Sequence, residues 1–356
     1  MKRISVGIIG CGGIAQMMYL PYLKDLKEKY YVKAVCDVSP KLVSETKEKY
    51  NLELGFTEVD ELLNITDIDA VIILTPYHTE QVIKAALAGK HVLVEKPMCY
   101  NLQEADRIIK AAEEADIKLM VAYMKRYDPG YQLGVERIKK MKNIKFIRAH
   151  DFPHDNNCLI SDIYDIPRFN DIPSKLVEET KERITEAKVE ALGSRDETAL
   201  EAYQMLLGVA SHDINILRGA LGEPRRILRA DIWNQGSSVL VIMDYGENCK
   251  CVFEVARTKR KWFEEELVVF SDQETVRISF PSPFHKNAAT KLSVREMEGG
   301  TIAYKEYISS YAEAFKLELE QFHRVITEDI PILTTAYEAK EDIRLLGEMV
   351  RHYLAR

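Results

Sequence analysis

The sequence predicts an α/β chain in two parts: an N-terminal doubly wound parallel sheet, then an α+β domain with a large, mostly antiparallel open sheet. Three observations predict it. Over the first third, short apolar runs such as V-I-I-L and V-L-V alternate with amphipathic stretches. Runs of that kind suit parallel strands covered on both faces. After about Tyr123 the rhythm changes, and from Arg225 to about Ile308 the chain reads as successive strands. At 356 residues the chain exceeds the usual size of one domain. We therefore expect domains at 1–124 and 125–356, with the closing helices free to pack back on the first.

Taken in order, the strands expected in the first part are Ser5–Ile9, Tyr31–Cys36, Ala70–Leu74, His91–Val94 and Lys118–Ala122. Helices fit between them at about Ile14–Lys29, Pro40–Tyr50, Thr57–Leu63, Thr79–Ala88 and Leu102–Ala115. Alternating β and α units imply a doubly wound sheet. In the second part, Asn143–Phe152 reads as a strand. Residues 156–193 form a polar insert, loop-like around Pro167 and Pro173 and helical from Lys175 to Leu192. A helix is expected over Thr198–Leu221, then the strand-rich stretch, then two closing helices near Ser309–Glu328 and Thr334–Leu354.

Composition excludes several classes. The net charge is −7 and no long Lys/Arg block is present, so nucleic acid is not an expected partner. No run approaches the roughly 20 apolar residues of a membrane span. Gly10, Gly12 and Gly13 break the first apolar run before it could serve as a signal core. The expectation is a cytoplasmic protein. Its six cysteines, Cys11, Cys36, Cys99, Cys158, Cys249 and Cys251, form no CxxC pair and read as reduced thiols.

The chemistry begins at Gly7-Ile8-Ile9-Gly10-Cys11-Gly12-Gly13-Ile14-Ala15. Glycine weakens strands and helices alike, yet four of these nine residues are glycine. Gly10-Cys11-Gly12-Gly13-Ile14-Ala15 fits the G-x-G-x-x-A fingerprint of a Rossmann dinucleotide site. Gly10 would make the tight turn, Gly12 would let a pyrophosphate approach the backbone, and Ala15 would let the helix pack closely on the strand. The helix N-terminus offers free N–H groups to the phosphates. Asp37 ends the next strand, 22 residues after Ala15. A carboxylate there accepts ribose hydroxyls and repels a 2′-phosphate, and no Arg follows in Val38-Ser39-Pro40. NAD is expected rather than NADP.

Glu95-Lys96-Pro97 lies at the C-terminal end of a later strand, where open α/β sheets bind ligands. A lysine held there could bond a substrate hydroxyl and ease loss of its proton. The sequence leaves the isomer of the Lys96–Pro97 bond open.

Together, G-C-G-G-I-A, Asp37, Thr75-Pro76 and G-K-H-V-L-V-E-K-P resemble the Gfo/Idh/MocA family of NAD(P)-dependent oxidoreductases. The match is dense over residues 4–126. The resemblance implies a Rossmann domain and an α+β domain whose open sheet packs on another subunit, as a homodimer or homotetramer. It implies hydride transfer at a carbinol carbon of a sugar, sugar derivative or cyclitol. It assigns Gly10, Gly12, Gly13 and Ile14 to the pyrophosphate and Asp37 to the ribose. Thr75, Pro76 and His78 would line the nicotinamide side, and Glu95 and Lys96 would bridge cofactor and substrate. The loop Thr75-Pro76-Tyr77-His78 is about two residues shorter than the common family form. Met124-Lys125-Arg126-Tyr127-Asp128-Pro129 resembles the family's basic-aromatic segment, so Arg126 and Tyr127 are candidates for closing over cofactor or substrate, or for anchoring a hinge.

In the second domain, Gly208-Val209-Ala210-Ser211-His212-Asp213 resembles the family helix that carries an acid and a histidine. His212 matches, and an imidazole suits taking a proton as hydride leaves. Lys96 and His212 are thus the expected catalytic pair. Many members carry Asp four residues before the histidine; here the residue is Gly208, and Asn215 stands where Asp is common. Asp213, which is also a candidate substrate contact, or Tyr203 could replace the acid. Alternatively, Gly208 makes room for a bulkier substrate, or the chain is a non-catalytic nucleotide or sugar sensor. A redox-assisted glycoside hydrolase holding NAD tightly is a further alternative. His150 and His154 could contact substrate or a metal, but no metal is assigned. The insert at 156–193 could cover the site or meet a neighbouring subunit.

Overall fold

The computed structural model describes residues 2–246 and 248–356; the side chains of 156–159, Cys158 among them, lie outside that description. The chain divides into two units. The first comprises residues 1–123, 164–187 and 315–341, and the second 124–163, 188–314 and 342–356.

The first unit is a six-stranded parallel sheet in the order β3-β2-β1-β4-β5-β6. Its strands are β1 (Ile4–Ile9), β2 (Tyr30–Cys36), β3 (Leu54–Phe56), β4 (Ala70–Ile73), β5 (His91–Glu95) and β6 (Leu119–Ala122). The helices are α1 (Leu20–Asp25), α2 (Pro40–Tyr50), α3 (Val59–Leu63), α4 (Thr79–Leu87) and α5 (Leu102–Glu114). Every residue of β4 and β6 is buried, as continuous apolar strands between two helix layers must be. Strand order reverses between β1 and β4, which makes their C-terminal ends the topological switch point.

Two local readings change. The short edge strand β3, L-G-F, is too brief to signal itself. The first helix is shorter than expected: Ala15–Tyr19 is π-helical, and α1 ends at Asp25 rather than Lys29. Ser39 caps α2, its Oγ accepting the Leu42 N–H at 3.1 Å, and Asn101 caps α5.

The second unit holds an eight-stranded sheet in the order β14-β13-β12-β11-β7-β10-β9-β8. Its strands are β7 (Ile144–Phe152), β8 (Arg226–Trp233), β9 (Ser238–Asp244), β10 (Lys250–Ala256), β11 (Glu264–Ser271), β12 (Glu274–Phe280), β13 (Lys291–Glu298) and β14 (Thr301–Ile308). All pairings are antiparallel except β7 with β10. Helices α6 (Pro129–Ile138), α9 (Glu197–Met205) and α10 (Ser211–Leu221) belong to this unit; α6 was not foreseen. The inward positions of each strand form the core: Ile147 and Ala149, Leu267 and Val269, Phe253 and Val255, Val276 and Ile278.

The insert contains α7 (Asn156–Ile163), where a loop was expected, and α8 (Ser174–Leu192). The chain closes with α11 (Ala314–Glu328) and α12 (Ala336–Leu354). Helix α11 packs in the first unit: Tyr30 Oη donates to the Leu319 carbonyl at 2.6 Å, and the Phe315 ring meets Tyr19 edge-on. No helix among the described residues is long and apolar enough to cross a membrane.

Behind β5, Tyr19 Oη lies 2.8 Å from Glu95 Oε1 and 3.2 Å from Glu318 Oε2. A phenol has one proton to donate, so two ionised carboxylates cannot both be satisfied by it. Burial, then the Glu95 charge, raise the Glu318 carboxyl well above its ordinary value, so Glu318 keeps its proton. The folded chain then binds more protons than the unfolded chain at neutral pH, and stability falls as pH rises. Glu318→Gln should remove this penalty. Its advantage over wild type in urea unfolding should be absent near pH 4 and grow by up to about 1.4 kcal/mol per pH unit above the ordinary carboxyl range. Parallel stability–pH curves for the two proteins would contradict the assignment.

Candidate active site

The site in the first unit is built at the C-terminal ends of β1, β2, β4 and β5. Gly10 has φ +98°, and a Cβ there would lie 2.9 Å from the Leu74 carbonyl carbon and 3.0 Å from the Thr75 nitrogen. Glycine is required because the two turns of the switch point touch backbone to backbone. Gly12 is different: a Cβ there meets nothing within 4 Å. Its bareness answers no crowding within the protein and leaves the backbone open to a ligand. Gly13 and Ile14 follow at the start of the helix, partly exposed. Asp37 takes the Cys11 N–H on Oδ2 at 2.8 Å and the Ser39 N–H on Oδ1 at 2.9 Å. Each carboxylate oxygen retains a lone-pair direction for a further donor. These groups fit a dinucleotide: a bare turn, a helix start and an acid after β2.

Thr75, Pro76 and His78 continue from β4. The loop is fastened from outside: Tyr100 Oη donates to the Pro76 carbonyl at 3.0 Å, and the Tyr77 ring stacks on Tyr100. His78 is buried, and burial together with the Lys96 charge pushes its imidazole down to about 3. It is therefore neutral at physiological pH. Glu95 is also buried, its Oε2 accepting the Lys96 N–H at 3.0 Å. The Lys96–Pro97 peptide bond is cis. The structure thus brings Gly10, Asp37, Thr75, His78, Glu95 and Lys96 to one edge of one sheet.

In the second unit, a π-helical stretch, Leu206–Ala210, interrupts the expected helix just before α10. Insertions of this type frequently occur at functional sites. His212 is the second residue of α10 and is partly exposed. Asp213, beside it, is buried in a charged cluster that sequence reading missed. Asp151 on β7 and Glu265 on β11 are directly paired across the sheet, and with Asp213 they offer carboxylate oxygens within 4.8 Å of one another. The buried Lys125 ammonium forms an ion pair with Glu265. Burial alone would lower Lys125, but Glu265, Asp213 and Asp151 outweigh it and hold it above its ordinary value. Burial, then Glu265 and Asp151, push the Asp213 carboxyl well up, so it is protonated. A lysine already provides the cation there, and the cluster reads as an internal charge balance that fixes α10 on its sheet. The signal was available: Asp151 and Glu265 continue the inward-facing positions Ile147-x-Ala149 and Leu267-x-Val269.

Arg126 is buried, its Nη1 donating to Asn215 Oδ1 at 3.1 Å, and Asn215 Nδ2 donates to Asp342 Oδ2 at 2.7 Å. Gly219 leaves room for this, since a Cβ there would lie 2.6 Å from Arg126 Cζ. Arg126, Asn215 and Asp342 all belong to the second unit, and Asn215 serves as the acceptor for Arg126. Tyr127 and Tyr203 are buried. His150 faces the opposite side of β7 from Asp151, beside Glu264, while His154 Nε2 lies 2.9 Å from Ser282 Oγ. These two histidines do not join the acidic cluster.

Residues 4–123 match the model of the oxidoreductase family with an NAD-binding Rossmann fold. That stretch of the first unit is similar to the family's NAD-binding domain. Among curated relatives, the myo-inositol 2-dehydrogenase of Thermotoga maritima is 33% identical over 140 residues, covering 38% of this chain and 41% of that protein. The levoglucosan dehydrogenase of Pseudarthrobacter phenanthrenivorans is 28% identical over 148 residues, 39% of this chain and 38% of that one. The matched region thus spans about two fifths of these relatives' length. Solved structures share the whole fold at low identity. A levoglucosan dehydrogenase in complex with NADH has a TM-score of 0.74 at 16% identity, covering 99% of this chain and 98% of its own. A 3-ketoreductase from Actinomadura kijaniata with NADP and TDP-benzene has a TM-score of 0.72 at 17% identity, covering 97% and 96%. Residues 4–123 thus resemble an NAD-binding domain in sequence, and the whole chain shares the fold of these structures.

Gly208 lies in the π-helical stretch, and a Cβ there meets nothing within 4 Å. The position can take a side chain without disturbing the fold. Gly208→Asp is expected to melt within a few degrees of wild type. A variant that melts far below wild type would contradict this reading of the site.

Proposed function

We propose that the protein is an NAD-dependent dehydrogenase or reductase acting at a carbinol carbon of a sugar, sugar derivative or cyclitol. The observation that carries this reading is the single edge of the first sheet, where a bare Gly12, a ribose-competent Asp37 and a Lys96 beside a neutral His78 stand at the switch-point end. The relatives' printed activities, on myo-inositol and levoglucosan, support the substrate class.

Gly10, Gly12, Gly13 and Ile14 would hold the pyrophosphate, Asp37 the adenosine ribose, and Thr75, Pro76, His78 and Glu95 the nicotinamide side. The bound nicotinamide supplies the hydride acceptor or donor. Lys96 would bond the substrate oxygen and favour its loss of a proton. His212 would serve as the acid/base group of the second unit, with Arg126, Tyr127 and Asp213 shaping its surroundings. Asp37 favours NAD over NADP because a 2′-phosphate would meet its carboxylate.

We further propose a cytoplasmic homodimer or homotetramer joined through the eight-stranded sheet. Its outer face carries exposed Met297, Ile302 and Tyr304 near the β14 edge, and apolar surface of this sort favours a protein partner.

The test is formation of NADH across a panel of cyclitols, aldoses and sugar acids, with NADP in parallel. Turnover of one chemical group with NAD preferred is the expected result. Silence across the panel from a protein that still binds NADH would move the reading to a sensor, and glycosidic cleavage without net NADH to a redox hydrolase.

A further inference from the structure

Within the first unit, residues 164–171 run beside the glycine turn and reach the start of α2. A Cβ on Gly13 would meet Ile166 Cδ1 at 3.8 Å. Five residues later, the Asp171 carboxylate accepts hydrogen bonds from the Ser39 hydroxyl on Oδ1 at 2.6 Å and from the Lys41 N–H on Oδ2 at 2.9 Å. Beside these anchors, Asp165, Pro167 and Phe169 and the outer side of α2 line a cavity of about 730 Å³.

The two contacts bracket the end of β2, where Asp37 stands. Asp37 holds the Ser39 N–H and Asp171 holds the Ser39 hydroxyl, so two carboxylates flank one residue. The Ser39 hydroxyl and the Lys41 N–H, donors at the start of an eleven-residue helix, are groups that would receive an anion. Here the chain supplies that anion itself. The bonds from Ser39 and Lys41 hold the Asp171 carboxyl below its usual range, so it stays ionised near neutral pH.

Resting on the dinucleotide reading above, we propose that the 164–171 strap is a built-in cofactor selector. Asp171 fills the anion-accepting start of α2 that a 2′-phosphate would otherwise use, and so reinforces the preference for NAD set by Asp37. A chain with Asp37 alone would repel the phosphate; a chain with the strap also denies it donors. This gives the insert a role independent of substrate.

The test is binding, not turnover. Dissociation constants for NADH and NADPH are measured by calorimetry for wild type, Asp37→Ser, Asp171→Asn, and the double variant Asp37→Ser/Asp171→Asn, each confirmed as folded by thermal melting. Asparagine keeps the shape and removes the charge. The expected result is that Asp171→Asn leaves NADH affinity within about threefold. In the Asp37→Ser background it should tighten NADPH by at least about tenfold, as removal of a like charge requires. An equal NADPH-to-NADH ratio with and without Asp171 in that background would overturn the proposal, as would wild type that binds both cofactors equally. If wild type binds neither, the dinucleotide reading itself fails and takes the selector with it.

Discussion

Lys96→Met should abolish most turnover while leaving NADH bound. Methionine keeps an unbranched side chain of similar length and removes the ammonium. The lysine follows β5 at the switch-point end of the sheet, near an imidazole that its charge helps to keep neutral. If it handles the substrate hydroxyl, kcat should fall by about a hundredfold to ten-thousandfold, the usual worth of a positioned acid or base. NADH affinity should stay within about threefold, because the groups that would hold the pyrophosphate and ribose are elsewhere. The pH profile adds a second reading. His78 is held down to about 3 and cannot supply a titration near neutrality, so a limb there belongs to another group. His212 is the acid/base group we assign, and His212→Asn should lower kcat by about a hundredfold or more. A Lys96→Met enzyme with unchanged kcat would end the assignment.

Gly12→Val separates cofactor binding from folding. A Cβ at Gly12 meets no atom within 4 Å, whereas one at Gly10 would meet the Leu74 and Thr75 backbone at 2.9 and 3.0 Å. Valine at residue 12 should therefore leave the melting temperature within a few degrees of wild type. It should weaken NADH by about a hundredfold or more, because its branches stand where the pyrophosphate must approach the backbone. Gly10→Ala should do the opposite, destabilising the fold directly, since its φ of +98° and its backbone contacts both forbid a side chain. Calorimetry and thermal melting on both variants give the comparison. A Gly12→Val protein that binds NADH as wild type does would show that the bare turn serves no ligand.

The sheet edge was legible because its parts are local. Gly10 through Ala15, Asp37 and Glu95-Lys96-Pro97 each sit at the end of a strand whose apolar run is unmistakable, so strand order alone brings them together. The alternating strands of the second unit were legible for the same reason. What escaped depends on contacts between distant residues. Asp171 meets Ser39 across 132 positions, and the segment carrying it has no periodicity to announce where it lies. Glu318 lies 299 residues from the Tyr19 hydroxyl it approaches. The π-helical stretches at Ala15–Tyr19 and Leu206–Ala210 keep helical composition and change only the hydrogen-bond register, which residue pattern does not encode. Asp151 and Glu265 were readable in principle, since period-two alternation points both inward. Lys125, which balances them, lies on another element and closes the cluster only in three dimensions.

The most direct test of hydride transfer uses the substrate that the panel selects, prepared with deuterium on the carbinol carbon, and reads the mass of the reduced cofactor after turnover. The account predicts NADH one mass unit heavier, with the label on the nicotinamide ring. Unlabelled NADH, or product released with no reduced cofactor, would contradict it.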